Sequence, residues 1–352
     1  MRFTVLIILA IASLQNTFSQ PTKTKNIILI IGDGMGLPQI QAAMDKSSDI
    51  LFFEKFKHIG FSKTRSGSNY ITDSGAGGTA ISAGKKTYNG AIGVGMDSLP
   101  LKTILEYAED AGKSTGLVAT CAITHATPAS FIAHQKSRYL YEEIASDFLN
   151  TEIDIFIGGG RNYFNLRSDN INLLDSLGER NYQVCASLDE IDLNNNKNIA
   201  CLLDTNHLPP RQYGRKNMLA ESTEIAIRKL NQNEKGFFIM IEGSQIDWGG
   251  HANNFDYVTT EVLDLNEAIG KALSFAEKDG NTLVIVTADH ETGGLTLIDG
   301  DLNQHTITSH FSTPNHSGVM VPVFSYGPGS EQFLGIYENT EIFEKMKTLL
   351  IQ

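Results

Sequence analysis

Asn26-Ile27-Ile28-Leu29-Ile30-Ile31-Gly32-Asp33 is an apolar run closed by an acid, and the pattern recurs twice. Phe237-Phe238-Ile239-Met240-Ile241 ends at Glu242, and Thr282-Leu283-Val284-Ile285-Val286-Thr287-Ala288 ends at Asp289-His290. Each run reads as a strand. In an open α/β sheet, ligands bind outside the carboxyl ends of the strands. Three strands therefore deliver carboxylates to one edge. Carboxylates gathered without partners repel and resist ionisation. Cations resolve that conflict, so the pattern argues for a multi-metal site. Asp247 and His251, in Asp247-Trp248-Gly249-Gly250-His251, add a pair just after Glu242. His316, in Pro314-Asn315-His316-Ser317-Gly318, adds another imidazole.

Outward from these runs, strand-like and helix-like segments alternate. Strands are expected at 26–31, 115–120, 154–157, 237–241, 282–287 and 321–326. Helices are expected at 101–112, 139–149, 218–231, 260–278 and 341–350. This order predicts the α/β class, with a largely parallel central sheet covered by helices on both faces. The stretch 183–211, with Asn194-Asn195-Asn196 and Pro209-Pro210, reads as an irregular excursion on the surface. No linker, repeat or low-complexity tract divides the chain, so residues 20–352 are expected to form a single domain.

The first 19 residues are set apart. Met1-Arg2 gives a positive start, Val5 to Leu14 is mostly apolar, and Thr17-Phe18-Ser19 is a small-x-small site before Gln20. That is the pattern of a secretory signal peptide, and the apolar run is too short to span a bilayer. A periplasmic or secreted protein with no membrane span is expected. The whole chain carries 28 Lys+Arg against 40 Asp+Glu, a net −12. Such a protein is no general polyanion binder, and nucleic acid is not expected as a dedicated partner. A phosphorylated substrate must be captured locally, against the overall field. Of the three cysteines, Cys121 reads as a small buried side chain, and sequence leaves open whether Cys185 and Cys201 pair. Their spacing fits no zinc-cysteine module, which leaves His and carboxylate as metal ligands.

Thr72-Asp73-Ser74-Gly75-Ala76-Gly77-Gly78-Thr79 is the second strong signal. Small residues allow close backbone approach and suit a helix whose N-terminus faces an anion. Ser74 at that N-terminus is a candidate nucleophile, for which metal coordination is one route to activation. Locally, the same residues read equally well as an Asp/Ser helix cap. Arg138 offers a guanidinium fork that matches two phosphoryl oxygens.

Together these residues make the chain resemble the alkaline phosphatase family, from about Lys25 to the C-terminus. The ordered motifs are Gly32-Asp33-Gly34-Met35-Gly36, Thr72-Asp73-Ser74, Lys86-Thr87-Tyr88-Asn89-Gly90, Thr124-His125-Ala126-Thr127-Pro128-Ala129, Glu242-Gly243-Ser244-Gln245-Ile246-Asp247, His251-Ala252, Thr287-Ala288-Asp289-His290-Glu291-Thr292-Gly293-Gly294 and His316-Ser317-Gly318. The resemblance implies a phosphomonoesterase of broad substrate range. It acts through a phosphoserine on Ser74, clamps the phosphoryl oxygens with Arg138 and releases inorganic phosphate. It also implies two Zn2+ and one Mg2+ per chain. Asp247, His251 and His316 match the ligands of one zinc. Asp33, Asp289 and His290 match those of the second, which also binds the Ser74 oxygen. Asp33, Thr127 and Glu242 match the magnesium ligands. Imidazoles thus fall on the zinc sites and oxygens on the magnesium site, as the ions' preferences require.

Two positions depart from the enteric bacterial pattern. Trp248 stands where some members carry a lysine or histidine that holds a water on the phosphate. His125 stands where some carry an aspartate beside the magnesium. His58, His134, His207, His305 and His310 match no ligand and read as structural or surface residues. The family suggests a homodimer, an inference weakened by the short segment between His290 and His316. Alternatives are a phosphodiesterase of the same superfamily and a metal- or phosphate-binding protein without turnover. A sulfatase is disfavoured, because no Cys/Ser-x-Pro-x-Arg motif surrounds Ser74.

Overall fold

Residues 23–301 and 303–351 are described by the computed structural model; the expected signal segment 1–19 lies outside them. The Ile-rich run forms β1 (Asn26–Gly32), buried at every position. It is followed by β2 (His58–Lys63), β3 (Ser114–Ala122), β4 (Ile155–Gly159), β5 (Tyr182–Cys185), β6 (Asn198–Leu202), β7 (Phe237–Gly243) and β8 (Thr282–Thr287). Then come β9 (Glu291–Thr292), β10 (Leu295–Asp301), β11 (Thr306–Phe311), β12 (His316–Ser317), β13 (Val321–Tyr326) and β14 (Gly335–Glu338). Ten of these form one sheet in the order β14-β2-β13-β8-β1-β7-β3-β4-β6-β5. Within it only β13 runs against the rest, pairing antiparallel with both β8 and β2. The largely parallel sheet is as expected.

The helices are α1 (Leu37–Lys46), α2 (Ser74–Ala83), α3 (Ile104–Asp110), α4 (Ala126–Ala129), α5 (Tyr141–Asp147) and α6 (Arg161–Asn165). They continue with α7 (Leu173–Glu179), α8 (Met218–Leu230), α9 (Gln245–His251), α10 (Phe255–Asp279) and α11 (Thr340–Leu350). Alternation along β1 sends Ile27, Leu29 and Ile31 into one apolar cluster, shared with α3, α5 and α11. Ile28 and Ile30 enter the other, shared with α1, α8 and α10. A strand with helices on both sides must be apolar on both faces, which is why β1 reads as an unbroken aliphatic run.

Local chemistry moves some boundaries. Thr103 Oγ1 accepts from Glu106 N at 3.3 Å while the Glu106 carboxylate accepts from Thr103 N at 2.7 Å. That reciprocal cap starts α3 at Ile104 instead of Leu101. Asn254 accepts from Tyr257 N at 3.0 Å and starts α10 at Phe255, earlier than the expected 260.

The reading of 183–211 as an irregular surface excursion is corrected. This stretch contributes most of β5 and all of β6, the outermost strands at one sheet edge. Their apolar runs are short and flanked by polar residues, so neither stood out. The loop after β6 lies over α10 instead of trailing in solvent. Arg215 is buried between Glu261 and Asp264 of α10, and Arg211 reaches Asp264 at 2.8 Å and Glu267 at 3.0 Å.

Candidate active site

The carboxyl ends of β1, β7 and β8 are adjacent in the sheet, and their terminal acids meet there as expected. Asp33, Glu242, Asp289 and His290 are all fully buried. Tight turns bring them close. Gly34 has φ +74°, and a Cβ there would fall 2.6 Å from Asp247 Cα, so only glycine lets the turn after Asp33 touch the start of α9. Its N–H donates to Asp289 Oδ1 at 3.3 Å.

Asp33 Oδ2 accepts from Thr127 Oγ1 at 3.2 Å, and its Oδ1 has no hydrogen-bond partner and lies 3.5 Å from His290 Nε2. Glu242 Oε2 accepts from Ser244 Oγ at 2.7 Å and from the Cys121 thiol at 3.4 Å, leaving Oε1 unpartnered. Asp289 Oδ2 has no hydrogen-bond partner and lies 3.2 Å from His290 Nε2. Burial, reinforced by the neighbouring acids, raises the pKa of Asp33 well above the usual carboxylate range. Burial likewise lifts Glu242 and Asp289 to about 7. Buried lone pairs left unpaired are costly, and a cation would satisfy all three.

The imidazoles make the same point. His251 Nδ1 lies 2.7 Å from Pro314 O, and His316 Nδ1 lies 2.9 Å from Thr72 O. Carbonyls only accept, so each Nδ1 carries a proton, and loss of the Nε2 proton leaves each ring one lone pair to offer a cation. Those two Nε2 atoms stand 3.1 Å apart, each 3.4 Å from Asp247 Oδ1. Facing lone pairs around a carboxylate oxygen form a cradle for a cation. Asp33, Asp289 and His290 form a second group of close ligand atoms, and His290 also approaches Asp247 and His316. The His290 and His316 rings stack at 3.6 Å. Thr292 Oγ1 donates to Asp247 Oδ1 at 2.5 Å and lies 3.2 Å from His290 Nδ1. It bridges the two groups, and its position just after His290-Glu291 was the only sequence sign of that.

Ser74 is the first residue of α2, buried, with Oγ 3.3 Å from His290 Nε2. The helix-cap reading and the nucleophile reading are compatible, because they concern different residues. Asp73 is the cap: its Oδ1 accepts from Ala76 N at 3.0 Å. Its Oδ2 accepts from Arg138 at 3.0 Å, tying the guanidinium to the residue before Ser74. The cap is legible in the sequence; the second contact exists only in the folded chain. The other guanidinium nitrogen lies 3.4 Å from His125 Nε2. His125 occupies the N-cap position of α4, two residues before Thr127, and its Nδ1 is sealed from solvent without a hydrogen-bond partner. Burial, with Arg138 and His207 adding to it, pushes the His125 pKa down to about 3, so the ring is neutral. Trp248 stands edge-on to His125 at 6.1 Å and to His207 at 4.9 Å. His207, read from sequence as structural or surface, therefore helps wall the site; its Nδ1 accepts from Ala122 N at 3.0 Å.

A sequence profile for alkaline phosphatase matches residues 24–308. Alkaline phosphatase 4 of Bacillus subtilis is 34% identical over 92% of this chain and 89% of its own length. The chain belongs to the alkaline phosphatase family. The solved alkaline phosphatase of the Antarctic bacterium TAB5 is 47% identical, with a TM-score of 0.90 over 94% of this chain and 99% of that one. A variant of that enzyme with a histidine replaced by aspartate, solved with Mg bound in its M3 site, aligns equally well in structure, at 46% identity. The protein is thus an alkaline phosphatase-family enzyme, a metal-dependent phosphomonoesterase acting on small phosphate esters. Its two Asp/His groups are consistent with a multi-metal active site. No described helix is long and apolar enough to cross a membrane.

Proposed function

We propose that this alkaline phosphatase hydrolyses a broad range of phosphate monoesters through a covalent phosphoserine on Ser74. The observation that carries the reading is the position of Ser74 Oγ, at the N-terminus of α2 and 3.3 Å from His290 Nε2, with Arg138 held alongside by Asp73. The donor sets fit two Zn2+, one at Asp247, His251 and His316 and one at Asp33, Asp289 and His290. A Mg2+ fits at Asp33, Thr127 and Glu242 with His125 adjacent. Bound there, the ions supply positive charge to the attacking, leaving and phosphoryl oxygens.

Ser74 Oγ attacks phosphorus, the phosphorus–ester oxygen bond breaks, and the alcohol leaves with a proton. Arg138 holds two phosphoryl oxygens as charge builds on them, the dominant need in phosphoryl transfer. Water then attacks the phosphoserine, releasing inorganic phosphate and restoring the Ser74 hydroxyl. Trp248 and His207 close one wall of the site without adding charge. The signal-like residues 1–19 support an exported enzyme whose residues 20–352 act as one catalytic domain. The net charge of −12 supports small esters over nucleic acid as substrates. A homodimer rests on family likeness.

The test is acid-quench mass spectrometry with phenyl phosphate, which should find phosphate on Ser74. Ser74→Ala should keep its metals and lose most activity. Label on another residue, or a phenyl phosphate diester cleaved faster than the monoester, would refute the reading.

A further inference from the structure

We propose that Cys185 and Cys201 form an intramolecular disulfide that staples the outermost strand of the sheet to its neighbour. β5 is only four residues long and, among the described strands, pairs with β6 alone. Cys185 and Cys201 are register partners on these parallel strands. Neighbouring strands lie about 4.8 Å apart. That falls inside the roughly 4.4–6.8 Å between Cα atoms that a disulfide spans. Both side chains enter the same apolar cluster, on the α8 and α10 face of the sheet, so the thiols share one side. Exposure is 1% for Cys185 and 0% for Cys201. The Cys201 thiol donates to Ser187 O at 3.5 Å, two residues beyond Cys185, and the two neighbouring thiols hold the Cys185 pKa down and push that of Cys201 up.

The remaining cysteine is elsewhere. Cys121 lies on β3, separated from β6 by β4, with its thiol toward Glu242. It is fully buried and two strands from Cys201, about 9–10 Å away and beyond disulfide reach. Oxidation should therefore select the 185/201 pair. The oxidant is a protein or small-molecule disulfide outside the cytoplasm. One cysteine thiolate attacks it to give a mixed disulfide, and the other displaces the second oxidant sulfur. Two thiol protons are lost, one sulfur–sulfur bond forms, and the oxidant leaves as two thiols. The natural moment is folding, before the pair is sealed. The bond closes the polar loop 186–197, which includes Asn194-Asn195-Asn196, and restricts it in the unfolded chain. Arg161 also anchors this edge, donating to Cys185 O at 2.9 Å.

The experiment uses the full chain, expressed with export and purified without reductant. Denatured, unreduced protein is treated with N-ethylmaleimide and weighed. One adduct is expected, on Cys121, rising to three after reduction, and non-reduced peptide mapping should link Cys185 to Cys201. The double variant Cys185→Ser/Cys201→Ser should melt several degrees lower, as should reduced wild type, with kcat unchanged. Three adducts without reduction, or a link through Cys121 or between chains, would overturn the proposal. An unchanged melting temperature in the double variant would overturn the stapling role. The thiol count needs no variant, so it holds even if the variant fails to fold.

Discussion

Asp73 divides its carboxylate between the cap of α2 and the Arg138 fork. Asp73→Asn keeps the cap acceptor and removes the charge. Its melting temperature should hardly change, while the inhibition constant for inorganic phosphate should rise on the order of tenfold, the worth of one charge-assisted hydrogen bond. Arg138→Ala removes the fork itself and should lower kcat/KM by on the order of a hundredfold, about 3 kcal/mol. His125 is neutral and beside the oxygen-ligand group, a poor combination for magnesium, which prefers oxygen donors. His125→Asp should bind magnesium more tightly when metal-depleted enzyme, refilled with zinc, is titrated. Equal or weaker binding would leave His125 as packing. Most of this scale was legible, because acids at strand ends and an Asp-Ser before small residues are chemically distinctive. His207 and the second contact of Asp73 were not, since both depend on contacts made only in the folded chain.

Among the elements, the loop docked on α10 is held by charge. Arg215 is buried between Glu261 and Asp264, and Arg211 seals the outer side. Burial works to raise both acids, and Arg215 opposes it. Arg215→Met strands two buried carboxylates and should destabilise the protein by about 3–5 kcal/mol, read as a lower melting temperature. Replacing all three charges with apolar residues should recover much of that loss. Central strands were legible as long apolar runs. The edges were not. β2 and β14 are partly exposed and short, and β5 and β6 sit among Asn, Asp and Lys. Their strand character comes from the neighbour they pair with.

For the whole molecule, metal removal should couple stability to pH. Without cations, Glu242 and Asp289 titrate near 7 and His251 near 8, all raised above their ordinary values. Burial dominates for the two acids, and a hydrogen bond to Asp247 for His251. Each group binds protons more tightly folded than unfolded, so each stabilises the fold at low pH and loses that contribution as pH rises through its folded value. Chelator-treated protein should therefore melt progressively lower from pH 6 to 8.5. Metal-loaded protein should melt higher, with the gap widening over the same window. A gap that narrows would argue against protons and metal sharing these ligands.

The position of β1 in the sheet has a consequence in time. It is the first of the described strands to be made, yet it pairs with β7 and β8, whose partner residues follow more than 200 positions later, as in Ile28 with Ile239 and Val284. At ribosomal speeds of about 5–20 residues per second, the run Ile27–Ile31 waits on the order of ten seconds or more for either neighbour. During that interval it is an unsatisfied, wholly aliphatic segment, prone to aggregate. Such long-range parallel pairing is also intrinsically slow. Refolding from denaturant should therefore be slow and sensitive to protein concentration. A chain ending at residue 280, which has β7 but lacks β8, should form no soluble native core.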